Sequence, residues 1–106
     1  MYQKLTETDN AQKLPIPQDA WLMFQAVDHE IIRLDLKPGE RIEKHSNDWR
    51  IIFYVLEGSG QLTIEEEQIS MTAHQTIAVA PDLLREWQND GDRVLKLLVI
   101  KTRETK

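Results

Sequence analysis

The chain has 106 residues, which is enough for one domain and leaves no room for two. Thirteen Lys and Arg residues against eighteen Asp and Glu residues give a net charge of −5, which argues against nucleic acid as the main partner because phosphate binding depends on clustered cations. The absence of cysteine excludes disulfides, thiolate metal ligands and a cysteine nucleophile. The sequence shows neither an apolar run of about 20 residues nor a signal-peptide pattern, so we expect a cytoplasmic protein with no membrane segment.

The two ends of the chain are predicted to lie outside the folded core. Residues 1–19 are polar and show no sustained periodicity, and Pro15 and Pro17 each fix φ and remove a backbone donor. We therefore predict an extended N-terminal arm that lies across the domain or across a partner subunit. Residues 102–106 are predicted to form a C-terminal tail. The basic side chains interpreted as part of this solvated end are Lys101, Arg103 and Lys106.

Between these ends, short apolar segments alternate with turn signals such as Gly58-Ser59-Gly60 and Asn89-Asp90-Gly91-Asp92. Strands at roughly 8–12-residue spacing, with no helical periodicity between them, indicate an all-β sandwich or barrel. Helix is expected only as a turn near residues 82–84. The predicted strands are Trp21–Val27, Glu30–Leu36, Arg50–Glu57, Gln61–Ile64, Gln68–Met71, Thr76–Ala80, Arg85–Gln88 and Val94–Lys101.

The middle of the chain resembles the first sequence motif of the cupin family. In that motif a glycine, a His-x-His pair, a glutamate and a second glycine follow one another at fixed spacing. Here five residues separate Gly39 from His45, and Gly58 takes the closing position after the run Tyr54-Val55-Leu56. Because the glycines, the strand lengths and the apolar run all agree with the family, the resemblance is specific for the fold.

A second and looser match covers residues 75–89, where Pro81 takes the position of the motif's strand-ending proline. Together the two motifs extend the resemblance over about residues 30–101, some two thirds of the chain. The resemblance implies an all-β cupin-type jelly-roll barrel, also called a double-stranded β-helix, formed as one domain by residues 20–101. It implies little about function, because cupins carry many unrelated chemistries.

Metal-dependent cupins hold their metal with two His and one Glu of the first motif and one His of the second. By this resemblance His45 keeps the first ligand position, whereas Asn47, Ile51 and Arg85 stand at the other three. Ile51 has no donor atom, and a guanidinium has no lone pair to offer a metal. We therefore expect no metal cofactor, with His45 as the only family ligand that remains. If the register differs, a weak divalent site could join His45 to one of Glu43, Asp48, His74 and Glu86.

The alternation of side chains along a strand pairs these positions on shared faces. The resemblance places Arg85 and Trp87 in the mouth of the barrel, where an apolar floor that includes Val55 is expected below converging polar groups. Because Arg is seldom buried alone, the partner of Arg85 is either an internal carboxylate or a ligand anion. Trp87 is expected to pack, with its indole N–H bonded to some partner. The predicted ligand-binding residues are His45, Asn47, Ile51, Phe53, Arg85 and Trp87.

Three functions remain open at this point. The first is metal-independent binding of a small polar or anionic metabolite, with Arg85 as anchor. The second is an enzyme, either a metal-independent isomerase or epimerase in which His45 is the catalytic base, or a metal-dependent cupin enzyme. The third is a dimeric structural or regulatory module with a vestigial pocket. A homodimer is the expected assembly.

Overall fold

The chain folds as two β-sheets packed face to face, which a computed structural model describes over residues 1–104. All the strand pairs are antiparallel, and the only helical element among the described residues is a 3-10 turn at Thr8–Asn10. The prediction of a one-domain, all-β fold is confirmed. The strands are β1 Gln12–Lys13, β2 Asp19–Gln25, β3 His29–Leu36, β4 Arg41–His45, β5 Arg50–Glu57, β6 Ser59–Ile64, β7 Glu67–Thr72, β8 Thr76–Val79, β9 Arg85–Gln88 and β10 Leu95–Thr102.

The order of the strands differs from their order in the sequence. One sheet has the order β1-β2-β3-β10-β5-β8, and the other has the order β4-β9-β6-β7. The last strand, β10, lies at the centre of the six-stranded sheet and pairs with both β3 and β5. The chain therefore passes repeatedly between the two sheets, which is the arrangement of a jelly roll.

The core lies between the sheets and follows directly from the alternation of side chains. On β5 the inward residues Ile51, Phe53 and Val55 are buried, while the residues between them face outward. From the opposite sheet Trp87 meets Phe53 edge to face, with the ring centroids 5.3 Å apart. Each fully buried side chain of this size contributes about 1.5–3 kcal/mol of transfer free energy.

Gly58 closes the turn between β5 and β6, and any other residue at this position would strain the backbone. Its φ is +83°, a region that L-residues with a side chain rarely adopt. A Cβ atom at this position would lie 2.6 Å from the carbonyl oxygen of Val94. The glycine of the sequence motif is therefore needed both for the backbone conformation and for the close approach of β10.

Two features of the chain differ from the sequence-based prediction. Strand β4 was not predicted, because only Ile42 of its five residues is even partly buried, so it carries almost no apolar pattern. The helical turn expected near residues 82–84 is absent, because Asp82 adopts a φ of +68° and donates its backbone N–H to the Asn47 carbonyl at 2.8 Å. This hydrogen bond ties the loop after β8 to the loop after β4.

The N-terminal arm lies against its own barrel. Strand β1 pairs with β2 through Lys13 and Trp21, and the Leu14 N–H donates to the Ala20 carbonyl at 2.8 Å. Beyond β1, residues 14–18 cross toward the other sheet, where the Gln18 amide donates to the carbonyl of Arg41 at 2.8 Å. The arm thus bridges the two sheets at one end of the core.

The C-terminal end is less free than the sequence suggested. Strand β10 extends to Thr102, and the Arg103 guanidinium lies over the ring of Trp49, 4.1 Å from its centroid. The interpretation of Lys101 as a solvated residue is wrong, because its side chain is only 20% exposed and lies beside Glu30. Lys106, the third basic residue of the expected tail, lies outside the described residues. Over residues 1–104 no helix is long and apolar enough to cross a membrane.

Candidate functional site

A cavity of about 150 Å³ opens between the two sheets at the end where the arm crosses. All six residues that the sequence predicted for ligand binding line it, whereas Val55, expected in its floor, is buried away from it in the core. Ten of the fourteen lining residues are apolar, so the wall is hydrophobic with a few polar groups, as in most small-molecule sites. The lining residues are Leu14, Ile16, Ala20, Ile32, Leu34, Ile42, His45, Asn47, Ile51, Phe53, Arg85, Trp87, Val99 and Lys101.

The polar end of the cavity is built where β4 ends and β9 begins. The two strands pair so that His45 stands opposite Arg85 and Ile42 stands opposite Trp87. Regular alternation would put Ile42 and His45 on opposite faces, because they are three positions apart along the chain. A β-bulge between these two positions restores the common face, so both side chains line the cavity.

The His45 imidazole is fixed in one tautomer by its surroundings. Its Nδ1 atom lies 2.9 Å from the backbone oxygen of Glu43, which can only accept a hydrogen bond. In the neutral ring Nδ1 therefore carries the proton, and Nε2 has its lone pair free. That lone pair faces Arg85, whose Nη2 atom lies 3.4 Å away.

Arg85 is the one buried charged side chain of the described residues, with only 4% of its surface exposed. Within residues 1–104 its Nη1 atom has no hydrogen-bond partner, and no Asp or Glu is paired with it. Burial lowers the pKa of Arg85, yet a guanidinium stays protonated throughout the physiological range. Of the two partners considered from the sequence, the internal carboxylate is therefore wrong.

Trp87 also differs from expectation. The side chain packs as predicted, with 2% of its surface exposed and its ring against Phe53. However, its indole N–H finds no acceptor among the described residues, contrary to the expected hydrogen bond. Arg85 and Trp87 are two residues apart on the same face of β9 and both line the cavity, and each has a buried N–H nitrogen without an acceptor among the described residues.

Asn47 contributes mainly to the shape of the loop after β4. Its side-chain oxygen accepts a hydrogen bond from the backbone N–H of Trp49 at 3.0 Å, the turn-stabilising contact considered from the sequence. Its backbone oxygen accepts the N–H of Asp82 at 2.8 Å. The amide nitrogen of the side chain and the second lone pair of its oxygen remain available to a ligand.

Lys101 and the arm residues are parts of the cavity that the sequence analysis missed. On β10 the inward positions Leu97 and Val99 lead by alternation to Lys101, so the strand pattern contained the signal. The Lys101 ammonium lies 3.6 Å from the Glu30 carboxylate and therefore brings a partly neutralised charge to the cavity. The position of Leu14 and Ile16 in the wall depends on how the arm crosses the fold, which no local pattern encodes.

The side chains at the family's metal positions do not fit a divalent ion. The Nε2 atom of His45 is the one imidazole donor among them, the oxygen of Asn47 is a neutral amide that already accepts the N–H of Trp49, and Ile51 has no donor atom. The guanidinium of Arg85 lies 3.4 Å from that Nε2 atom, where a divalent ion would meet a fixed positive charge. Among residues 1–104, no three His, Cys, Asp or Glu side chains come together as a metal site would require.

The alternative donors do not complete a metal site with His45. Glu43 pairs with the guanidinium of Arg41, with 3.3 Å between Oε2 and Nη2. His74 does not line the cavity, and its Nδ1 atom is 3.2 Å from the Tyr54 hydroxyl. Neither Asp48 nor Glu86 lines the cavity, and Glu86 alternates with Arg85 along β9.

Comparisons with solved structures agree with this fold over almost the whole chain. A conserved protein of unknown function from Streptococcus pyogenes superposes with a TM-score of 0.77 at 18% identity, covering 100% of this chain and 92% of that one. An RmlC-like cupin from Shewanella frigidimarina gives 0.84 at 11% identity, covering 99% and 95%. A predicted oxalate decarboxylase from Thermotoga maritima gives 0.86 at 14% identity, covering 95% and 100%.

At these identities the structural likeness shows the fold, and the functions of the three proteins do not transfer with it. A search of curated proteins gave no significant match. The family model for the cupin domain, in contrast, matches residues 32–101, which include both sequence motifs and nearly all of strands β3 to β10. The predicted resemblance is confirmed, and the chain belongs to the cupin family.

Proposed function

We propose that this protein binds a small anionic metabolite in the cavity without a metal, and that Arg85 is the anchor for the anion. The observation that carries the proposal is a buried guanidinium whose Nη1 atom has no partner among the described residues. Burying a cation costs several kcal/mol unless an opposite charge accompanies it. A ligand carboxylate or phosphate supplies that charge, and a guanidinium binds either one through two parallel hydrogen bonds.

The charges around the cavity support an anionic ligand. Arg85 and Lys101 both line the cavity, whereas no Asp or Glu is among the described residues that do so. The cavity is therefore a positive region in a chain whose net charge is −5. Low-dielectric walls concentrate such a field at the opening and attract anions to it.

Thermal unfolding in the presence of carboxylates and phosphates tests this proposal. A ligand that binds only the folded protein raises Tm by mass action, and Arg85→Ala should abolish the rise. Arg33→Ala is the matched control, because its guanidinium is paired with Asp35 at 2.8 Å and lies away from the cavity. The rise should persist in EDTA. A broad ligand set with no effect, or a rise that survives Arg85→Ala, would contradict the proposal.

A one-base proton transfer is a second candidate, favoured by the orientation of His45. His45 lines the cavity with its Nε2 atom unprotonated beside Arg85, an arrangement in which a bound acid could lose its α-proton to Nε2 while the guanidinium stabilises the enolate. The reaction would be an exchange, since no second acid among the described residues lines the cavity and Tyr54 faces His74 instead. Exchange of the α-proton of a bound acid in D₂O, lost in His45→Ala, would favour this function over binding alone.

The proposed assembly is a homodimer formed by the outer face of the six-stranded sheet. Register places Ile31, Ile100 and Ile52 side by side across three strands, with Phe24 and Ala78 continuing the row at either end. A row of apolar side chains across five strands is typical of an interaction surface. Sedimentation should give a dimer for the wild type and a monomer for Ile100→Glu, whereas a wild-type monomer would contradict this assembly.

A further inference from the structure

We infer that the ligand is a small monocarboxylate with a compact apolar body and one further oxygen acceptor. The inference deepens the proposed function and rests on it, since it assigns a chemical class to the anion held by Arg85. Four properties of the cavity lead to it: the composition of its wall, its available positive charge, its volume, and the second buried donor on β9.

The wall excludes a polar body such as a sugar. No hydroxyl, thiol or carboxylate side chain is among the described residues that line the cavity, and its polar side chains are His45, Asn47, Arg85 and Lys101. A ligand with several hydroxyl groups would bury them without partners, and each unsatisfied hydroxyl would weaken binding. An apolar body instead gains transfer free energy against the Ile, Leu, Val and Phe side chains of the wall.

The available charge favours a carboxylate over a phosphate. Of the two described cations at the cavity, Arg85 has a nitrogen without a partner, whereas the Lys101 ammonium already lies 3.6 Å from Glu30. One free guanidinium balances a single negative charge, and its planar fork matches the two oxygens of a carboxylate. A phosphate with a second charge would remain incompletely neutralised in this apolar surrounding.

The volume limits the size of the body. The cavity measures about 150 Å³, and a protein cavity of that size holds a molecule about as large as benzene. A carboxylate on Arg85 with an aromatic ring or a short branched chain toward Phe53 and Trp87 therefore fills the space. Larger bodies would have to extend past the arm into solvent.

The indole N–H of Trp87 is the reason to expect a further oxygen acceptor on the ligand. It is a buried donor with no partner, on the same strand face as Arg85 and two residues along. Leaving such a donor unsatisfied is costly, so a hydroxyl or oxo oxygen on the body would strengthen binding when it reaches the indole. The two donors together describe a ligand with acceptors at separate points of an apolar frame.

Isothermal titration and thermal unfolding of the full chain with seven compounds test this inference. Benzoate should bind and raise Tm by about 6–11 °C at a concentration about ten times its Kd. Benzamide has the same body without the charge, inorganic phosphate has charge without the body, and glucuronate has a carboxylate on a polar body. Each of these three should bind at least tenfold more weakly than benzoate. Among the three hydroxybenzoates, at least one should bind about threefold or more tightly than benzoate.

The outcomes distinguish a wrong ligand class from a failure of anion binding by Arg85. An Arg85-dependent response to phosphate or glucuronate that exceeds the response to benzoate overturns the ligand class and leaves anion binding intact. Equal binding of benzamide and benzoate, unchanged in Arg85→Ala, overturns both. If no hydroxybenzoate exceeds benzoate, the second acceptor is wrong. If one does, its advantage should disappear in Trp87→Phe, which keeps an aromatic ring and removes the N–H donor.

Discussion

Arg85 and His45 face each other across the pairing of β4 and β9, with 3.4 Å between Nη2 of the arginine and Nε2 of the histidine. The histidine can accept this contact because its other ring nitrogen lies against the backbone oxygen of Glu43. At the positions where the family resemblance expects two metal ligands, this chain therefore brings together one lone pair and one permanent cation. The lone pair of the histidine faces the guanidinium, and the second guanidinium nitrogen, Nη1, has no partner among the described residues.

If Arg85 serves to bind a ligand, its burial should lower the stability of the ligand-free protein. We expect Arg85→Met to raise the stability of the free protein by about 1–3 kcal/mol, because it removes a buried donor that has no acceptor. Met keeps the unbranched stem that packs in the wall and carries no charge. For a domain of this size each kcal/mol corresponds to about 4–8 °C in Tm, so urea and thermal unfolding both resolve the effect.

Arg33→Met is the matched control for this substitution. Arg33 is a part-buried arginine with two hydrogen bonds to Asp35, at 2.8 and 3.3 Å, so its loss should lower stability by up to about 1 kcal/mol. A gain in stability for Arg85→Met together with a loss for Arg33→Met would indicate that Arg85 is a buried cation whose partner is a ligand. A larger loss in Arg85→Met than in Arg33→Met would mean that Arg85 is a structural residue.

A further prediction concerns the metal ligands that this chain has lost. Restoring the ligand residues that the family resemblance expects should restore metal binding. The variant with Asn47→His, Ile51→Glu and Arg85→His should bind one Zn²⁺, because it places three imidazoles and one carboxylate around the former ligand positions. Without metal it should be less stable than the wild type, since Ile51 is buried and its replacement places a charge in the core. Added Zn²⁺ should raise its Tm, and calorimetric titration should give one site.

The wild type and Asn47→His alone are the controls for that experiment. Both should show no stoichiometric binding, because Ile51 supplies no donor and the cation of Arg85 remains. Elemental analysis of the wild type, purified without a histidine tag, gives an independent measurement. A stoichiometric transition metal there would refute the metal-independent site.

The sequence was sufficient for the fold and for most of the polar end of the cavity, because motif spacing and strand alternation are local properties. Glycines at turns and the apolar run of β5 indicate strand positions, and the register of β4 with β9 then brings Arg85 opposite His45. Lys101 could have been found by continuing the alternation along β10. Strand β4 could not have been found from a pattern, because it is an edge strand with a single partly buried residue.

The remaining properties of the site depend on contacts between distant parts of the chain. The Nη1 atom of Arg85 and the N–H of Trp87 lack partners only because no acceptor from another element reaches them, which sequence spacing cannot show. The bulge that turns Ile42 toward the cavity depends on pairing with β9. Residues that are far apart in the sequence thus determine which donors remain for a ligand.

Gly58 gives a prediction about the fold itself. We expect Gly58→Ala to lower stability by at least about 2 kcal/mol, because the backbone is left-handed at φ +83° and the new Cβ would lie 2.6 Å from the Val94 oxygen. Gly91→Ala is the control, since its nearest neighbour would be 3.5 Å from the Cβ, and its effect should stay within about 0.5 kcal/mol. Chemical denaturation measures both. Similar losses in the two variants would mean that the close approach of β10 is not limiting.

The N-terminal arm should control how tightly the cavity holds its ligand. Leu14 and Ile16 line the cavity, and Ile16 is still 40% exposed, so together they form a partly open edge of the wall. The double variant Leu14→Ala, Ile16→Ala should bind benzoate about tenfold more weakly, because apolar area that covers the ligand is removed. The loss should appear mainly as faster dissociation in stopped-flow measurements, since an opened wall does not obstruct entry.

A control for the arm is available within the same segment. Tyr2 and Leu5 are exposed and do not line the cavity, so Tyr2→Ala, Leu5→Ala should leave benzoate affinity unchanged. Equal weakening by the two double variants would mean that the arm acts through its general packing. If only the first pair matters, the crossing at residues 14–18, held by the Gln18 contact with Arg41 at 2.8 Å, is a wall of the binding site. The arm would then determine residence time while Arg85 determines which ligands bind.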